Sequence, residues 1–486
     1  MLIPLIVACA LFMENLDSSV LATALPSIAA SLGENPLRLN LAITSYLFSL
    51  AVFIPVSGWV ADRFGARTVF RAAIAVFTIG SLLCGATDSF WTLVGARVLQ
   101  GLGGAMMVPV GRLIMLRAVP KAELVRAMTW LTVPALLGPI TGPPVGGFLT
   151  TYLSWRWIFW INLPIGLLGI LLVTLFIPDV REEKMPPLDA RGFLLSATAL
   201  TGLMFGFETL GRGLLPNSAV AALLIVGAIG SGLYLYHAAR HAHPLIDLSL
   251  LRIPTFRAGV LGGSLFRVGV GATPFLLPLM LQLGFGLSAF QSGSITFVSA
   301  AGSMTMKMIA RPILRRFGFR RVLISNALIA GGSLAIYGLF RPQDSYALIM
   351  GLLFFGGISR SLQFTSVNTL AVADIPHEQM SRATSFSSMM QQLSLSLGVG
   401  IGALTLHLTL AFAGGRESIA AGDFTPAFAV VSLASAASAL IFLSLSHNAG
   451  AEVSGHKLFA PTQRLRQGAP LEADNDNPKD QRNAAE

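Results

Sequence analysis

Cysteine and histidine are scarce, two and seven among 486 residues, too few for a disulfide framework or a cysteine-rich metal cluster. Charge is short as well. Only 12% of residues are Asp, Glu, Lys or Arg, about half the share of a soluble chain. That shortage rules out the string of about three soluble domains that length alone would suggest. In its place stand 54% apolar residues and a mean hydropathy of +0.71. Cys9 and Cys84 both lie in apolar runs and read as packing residues. Acid is rarer than base, 23 residues against 33, for a net charge of +10. No stretch is basic, soluble and interleaved with aromatics, so nucleic acid is excluded as a partner. Base concentrated on cytoplasmic loops accounts for the excess. The chain is an integral membrane protein.

A membrane helix needs about 20 mostly apolar residues to cross a hydrocarbon core of about 30 Å. That rule gives about fourteen spans, near 3–24, 40–61, 68–87, 90–116, 124–150, 157–178, 191–213, 218–238, 257–282, 290–310, 321–340, 346–371, 385–412 and 424–446. The first is expected to be a true span and not a cleaved signal, because it lacks a basic leader and carries Glu14 and Asp17. One set of loops carries eighteen basic residues, among them Arg63, Arg67, Arg117, Arg126, Arg181, Arg252, Arg316 and Arg320. The opposite set carries five, Arg38, Arg156, Arg212, Arg341 and Arg416, which puts the first set and both termini in the cytoplasm. The tail over 447–486 is polar and aperiodic and is expected to be disordered.

The loop after span two contains Arg63-Phe-Gly-Ala-Arg67, and the loop after span ten contains Arg316-Phe-Gly-Phe-Arg320. Positions 63 and 316 are 253 residues apart, whereas six spans with short loops need only about 180. The surplus matches the spans near 191–213 and 218–238. The expected architecture is therefore all-α: a six-helix bundle over 1–178, an inserted helix pair with its flanking loops over 179–256, and a second bundle over 257–446.

Four motifs add a resemblance. The loop from Gly58 through Asp62, Arg63 and Gly65 to Arg67 is one. Leu16-Asp17 with Ala24-Leu25-Pro26 is the second, and Arg97-Val-Leu-Gln100-Gly101-Leu-Gly103-Gly104 the third. The fourth runs from Gly138 through Gly142, Pro143 and Gly146 to Gly147. Together they resemble the major facilitator superfamily in its fourteen-helix drug:proton antiporter branch. Gly104–Arg112 and Gln391–Gly398 are similar to a bacterial subgroup of multidrug resistance proteins. The resemblance implies alternating access, proton coupling and export of small molecules from the inner membrane, with a single chain as the working unit. It also implies that Asp62 caps a helix of the other bundle, here the start of span thirteen near Ser385, as an inner gate. It implies that the glycines and prolines of span five serve antiport, although they would also serve plain helix packing.

Ionised groups inside spans cost about 2.5–3.5 kcal/mol each on insertion scales and mark function by default. Asp17 lies about 21 Å above the inner edge and Arg97 about 10 Å below the outer one, so the two depths nearly coincide and a pair is expected. Glu14, three residues earlier, shares Asp17's helix face. These three are the candidate proton-coupling set. Arg112, Arg267, Lys307 and Arg360 are the candidate cavity set, with Arg267 near the midplane and Arg112 and Lys307 close enough to helix ends to snorkel. Glu208 reads as an interfacial charge. His237, His241 and His243 read as solvated loop histidines, since no acid or cysteine clusters with them to hold a metal. Gly101-Leu-Gly103 and Gly398-Val-Gly400 sit inside apolar spans without a preceding strand, so no nucleotide and no other cofactor is expected.

Two functions stay open at this point: a proton-driven multidrug-type exporter, and an exporter or symporter of organic anions such as carboxylates or their metal chelates. A membrane enzyme or sensor would need a catalytic constellation or a large soluble domain, and neither is present in the sequence.

Overall fold

The computed structural model describes residues 2–118, 137–138, 141–178, 187–209, 215–241, 244–376, 379–412 and 419–454. Among these, regular structure is helical throughout, as hydrocarbon requires: a helix satisfies its backbone groups internally where no water can. The helices are α1 (Leu2–Leu32), α2 (Asn40–Phe64), α3 (Ala66–Ala86), α4 (Phe90–Ala118), α5 (141–152) and α6 (Trp157–Phe176). The inserted pair is α7 (Ala190–Thr209) and α8 (Asn217–Ala238), and α9 spans Pro254–Gly284. One long helix, Ala289–Tyr337, bends at Gly318 into α10 (289–317) and α11 (319–337). The series ends with α12 (Tyr346–Val372), α13 (Met380–Phe412) and α14 (Thr425–Leu443).

Twelve of the described helices are long and apolar enough to cross a membrane. The other two expected spans fall on α5, whose beginning lies outside the described residues, and on α10. Large side chains such as Leu167, Leu171, Leu433 and Leu440 remain exposed on helix faces that hydrocarbon would cover. The first helix is longer than expected, running to Leu32.

The repeat is visible in the backbone. Gly65 has φ 89° and Gly318 has φ 72°, so both Arg-Phe-Gly-x-Arg loops turn on a residue in the left-handed region, where a side chain is strained. Each loop's last arginine then reaches a carbonyl at the end of its own bundle's last helix. Arg67 Nη1 donates to Ile177 O at 3.3 Å, and Arg320 Nη2 donates to Leu443 O at 3.3 Å. A cation is favoured there because the last carbonyls of a helix are unpaired and partly negative.

The inserted pair zips along glycines. A methyl group on Gly202 would come within 2.6 Å of the Gly227 Cα. The bundles meet along α2 against α13, α1 against α9, and α5 against α10.

A buried ion-pair network beside the seam between bundles

Asp17 is 1% exposed and Arg97 1% exposed, deep enough that each needs partners. They have each other. Arg97 Nη1 donates to Asp17 Oδ2 at 2.6 Å and to Gln100 Oε1 at 2.5 Å, and Arg97 Nε donates to Ala42 O at 3.0 Å. The other carboxylate oxygen, Asp17 Oδ1, accepts from Gln100 Nε2 and Asn162 Nδ2, both at 2.8 Å. Ser81 Oγ accepts from Gln100 Nε2 at 2.7 Å. The Tyr46 ring lies under the guanidinium, 4.3 Å from its carbon. The α1 carboxylate thus accepts from α4 and α6, Ser81 of α3 joins through Gln100, and Arg97 adds a carbonyl of α2. Glu14, one turn below on α1, is buried too.

Depth along the helices puts Asp17 beside Arg97, but Gln100 stands out in the sequence only as part of a motif, and Asn162, Ser81 and Tyr46 are not marked there as partners. The available signal was neutral: amides in otherwise apolar spans, which need partners just as charges do.

On its other side α1 packs against the glycine motif of α5. A methyl on Gly138 would sit 2.8 Å from Leu16 N, one on Gly142 would overlap Ser19, and one on Gly146 would come within 2.6 Å of Val20 O. Ser19 Oγ also donates to Gly138 O at 3.2 Å. Gly142 and Gly146, four residues apart, line one face of α5 and let it touch α1, and Gly138 meets α1 in the same way. Gly147 faces the other bundle, where a methyl would meet Phe290 Cα at 2.8 Å, and Pro143 backs onto Gly293 of α10. The motif therefore lies on the seam itself. A further tie crosses it: Gln282 Nε2 of α9 donates to Thr23 O of α1 at 3.0 Å.

The second bundle repeats the Arg-x-x-Gln spacing of Arg97 and Gln100 as Arg360 and Gln363 on α12. The 253-residue offset of the two loops carries Glu14 onto Arg267 of α9, whereas the Arg-x-x-Gln pairs lie 263 residues apart. Where the first bundle has acids, the second has a second arginine. Arg267 is 1% exposed, donates from Nη2 to Asn368 Oδ1 at 2.5 Å, and leaves Nε without a hydrogen-bond partner. The Phe364 ring lies 5.5 Å from its guanidinium carbon. Arg360 is half-buried, 3.5 Å from Ser303 Oγ, and borders a cavity of about 20 Å³ with Thr273, Ser299, Ser333 and Tyr337. Among the described residues no carboxylate lies within ion-pair distance of either arginine. A cavity of that size holds about one water, against the ~300–1,000 Å³ of a drug-sized site, so loading a substrate requires the helices to move apart. Short π-helical turns flank Arg267 on α9, at Ala258–Gly262 and Met280–Gly284; such turns recur at functional sites.

The remaining candidates are placed differently. Lys307 is exposed on α10, apart from the enclosed arginines. Arg112 lies on α4, and its side chain is outside the described residues. In the first loop Asp62 is half-buried at the end of α2 and Arg63 exposed, while Gly58 has open space where a side chain would go, so close packing gives no reason for a glycine there. Glu208 is a correction. It is 3% exposed, not interfacial, and accepts a hydrogen bond from Asn40 Nδ2 of α2. A methyl on Gly400 of α13 would come within 2.6 Å of it. The insertion thus places a carboxylate where α2 and α13 meet.

Two repeated helical bundles that enclose ionised groups beside the seam between them have the form of a secondary transporter of small molecules. Comparison with known proteins agrees. The Major Facilitator Superfamily model matches residues 7–399 and 260–457. "Putative multidrug resistance protein MdtD" of Pectobacterium carotovorum subsp. carotovorum is 42% identical over 394 residues, 80% of this chain and 83% of that protein. The protein of the same name from Citrobacter koseri is 41% identical over 418 residues, 86% and 87% of the two chains. The crystal structure of an auto inhibited POT family peptide transporter superposes with a TM-score of 0.70 at 16% identity, covering 92% of this chain and 97% of that one. The chain belongs to the Major Facilitator Superfamily and is a multi-pass membrane transporter, not an enzyme.

Proposed function

We propose that the chain is a proton-coupled antiporter of the multidrug-efflux type in a bacterial inner membrane, with Asp17 as the proton carrier. The observation that carries this reading is the enclosure of Asp17 by Arg97, Gln100 and Asn162. Protonation of Asp17 removes the charge that holds α1 to α4 and α6, and leaves Arg97 without its counter-ion. Helix α1 is then freer to slide on the glycines of α5 and against α9, which is the motion alternating access needs. Loss of the proton on the other side restores the pair and resets the seam. Glu14, one turn away, is the second acid on the route, and Asp62 with its arginines forms the inner gate. The working unit is one chain: residues 1–178 and 257–446 form its two bundles and 179–256 the insertion.

The test uses inside-out vesicles. Asp17→Asn abolishes efflux driven by a pH gradient while protein in the membrane changes little, because a neutral amide is cheaper to bury than a carboxylate. Full pH-driven transport by Asp17→Asn sinks the assignment and moves it to Glu14. Orientation is tested by labelling: cysteine at 316 reacts only from the cytoplasmic side and cysteine at 416 only from outside, and the reverse pattern overturns the topology.

A second reading concerns the cargo. Arg267 and Arg360, enclosed with neutral partners only, favour a substrate with at least one negative charge, since an arginine fork matches a carboxylate. Organic anions, carboxylates or their metal chelates then stand beside the multidrug reading. Robust efflux of a permanent cation that is unaffected by Arg267→Gln or Arg360→Gln decides against it.

A further inference from the structure

The end of the inserted pair that the loop charges place in the cytoplasm brings together three side chains outside the proposed proton and cargo groups. Asp189 precedes α7 and caps it, accepting from Gly192 N at 2.8 Å. His237 sits in the last turn of α8 with Nε2 2.8 Å from Asp189 Oδ1. His241 follows one turn later, its ring 5.0 Å from that of His237 and tilted by 31°. One ligand atom from each of the three lies within 4.8 Å of the others. The sequence had suggested solvated histidines for want of a nearby acid. Folding supplies that acid from 48 residues upstream.

We propose that Asp189, His237 and His241 bind one divalent transition-metal cation, with Zn²⁺ as the natural probe. Ligands around tetrahedral zinc at about 2.0–2.1 Å lie about 3.3 Å apart. The Asp189–His237 contact opens by about half an ångström to admit the ion, and His241 moves in by about 1.5 Å at most. His241 is exposed and beyond the end of α8, so it has room to do so. Two imidazoles and a carboxylate suit zinc, cobalt, nickel or copper, not calcium or magnesium, which take oxygen ligands.

Two of the ligands are already held in place. Leu245 N donates to Asp189 Oδ2 at 3.2 Å, and Tyr234 Oη exchanges hydrogen bonds with Ile246 O and N at 3.0 and 2.8 Å. The basic neighbour Arg240 lies against the Tyr236 ring at 3.9 Å. The buried carboxylate and the half-buried His237 are therefore preorganised, and the exposed side leaves a coordination position for water. A bound ion would tie the start of α7, the end of α8 and the strand of chain leading to α9.

The experiment uses the full-length protein, purified in detergent on a tag without histidines. Metal content after equilibration with Zn²⁺ and dialysis, and Co²⁺ titration followed by visible absorption, are read on wild type, His241→Ala, His237→Gln and Asp189→Asn. The asparagine keeps an oxygen to cap α7. The expected result is one ion per wild-type chain and affinity lower by about tenfold or more in each variant. His241→Ala should melt at the wild-type temperature without metal, separating ligation from folding. Less than one ion per wild-type chain, or equal affinity in His241→Ala, overturns the site.

Discussion

The two bundles bury arginine on the same scaffold and satisfy it in opposite ways. In the first, Arg97 faces Asp17 at 2.6 Å, and Gln100 bridges the two. In the second, Gln363 turns instead to Asn326 and the Leu323 carbonyl, at 3.0 and 3.1 Å, while Arg360 and Arg267 keep neutral acceptors. A buried charge with a fixed counter-ion is a structural tie that protonation of the acid would loosen. A buried charge with none attracts a mobile anion. The contrast teaches that a repeat can keep its geometry while dividing its chemistry, a fixed ion pair on one side of the seam and arginines with neutral partners on the other; under the proposed function the first handles the proton and the second the cargo.

Substitutions that break this division are ordered by expected effect. Asp17→Asn comes first, with loss of pH-driven efflux. Gly142→Leu comes next: a side chain there overlaps Ser19, transport stops, and overpacking lowers stability by about 1–3 kcal/mol, read from the melting of the purified protein. Arg267→Gln raises the KM for a carboxylate substrate by about tenfold to a hundredfold, the loss of one charge-assisted contact, and leaves any cationic substrate unchanged. Smallest are Arg67→Ala and Arg320→Ala: each removes a contact to a helix-end carbonyl worth about 0.3–1 kcal/mol, and Arg320→Ala also removes the one to His447 Nε2 at 2.6 Å. A shift in both would support the equivalence of the loops; a shift in only one would show that the symmetry is geometric alone.

The spans were legible because lipid imposes one length and one composition, and the repeat because two five-residue loops copy each other. The Asp17–Arg97 contact followed from depth along two helices. Depth does not give rotation, however. Lys307 shares its helix with the seam contact at Gly293, yet it is exposed, because which face turns inward depends on neighbours the sequence does not align. The same ignorance hid Asn162, which reaches Asp17 from α6, and Glu208, whose burial depends on α7 docking against α2. Asp189 was overlooked beside His237 because the helical hairpin that joins them is a tertiary event. For the insertion end, burial pushes the Asp189 carboxyl up, but hydrogen bonds from Gly192 N–H, His237 and Leu245 N–H outweigh it and leave the group below the ordinary carboxylate range. No loop motif announces that balance.

The division of labour between bundles is tested most directly by proton movement in inside-out vesicles carrying a preformed pH gradient and a pH-sensitive dye. Cationic dyes and di- and tricarboxylates are added in turn to wild type, Asp17→Asn and Arg267→Gln at matched protein levels. A carboxylate should make wild-type vesicles release protons, Asp17→Asn vesicles should release none at any concentration, and Arg267→Gln vesicles should release them only at much higher carboxylate concentration. Substrate-driven proton release of wild-type size from Asp17→Asn vesicles would contradict that division of labour.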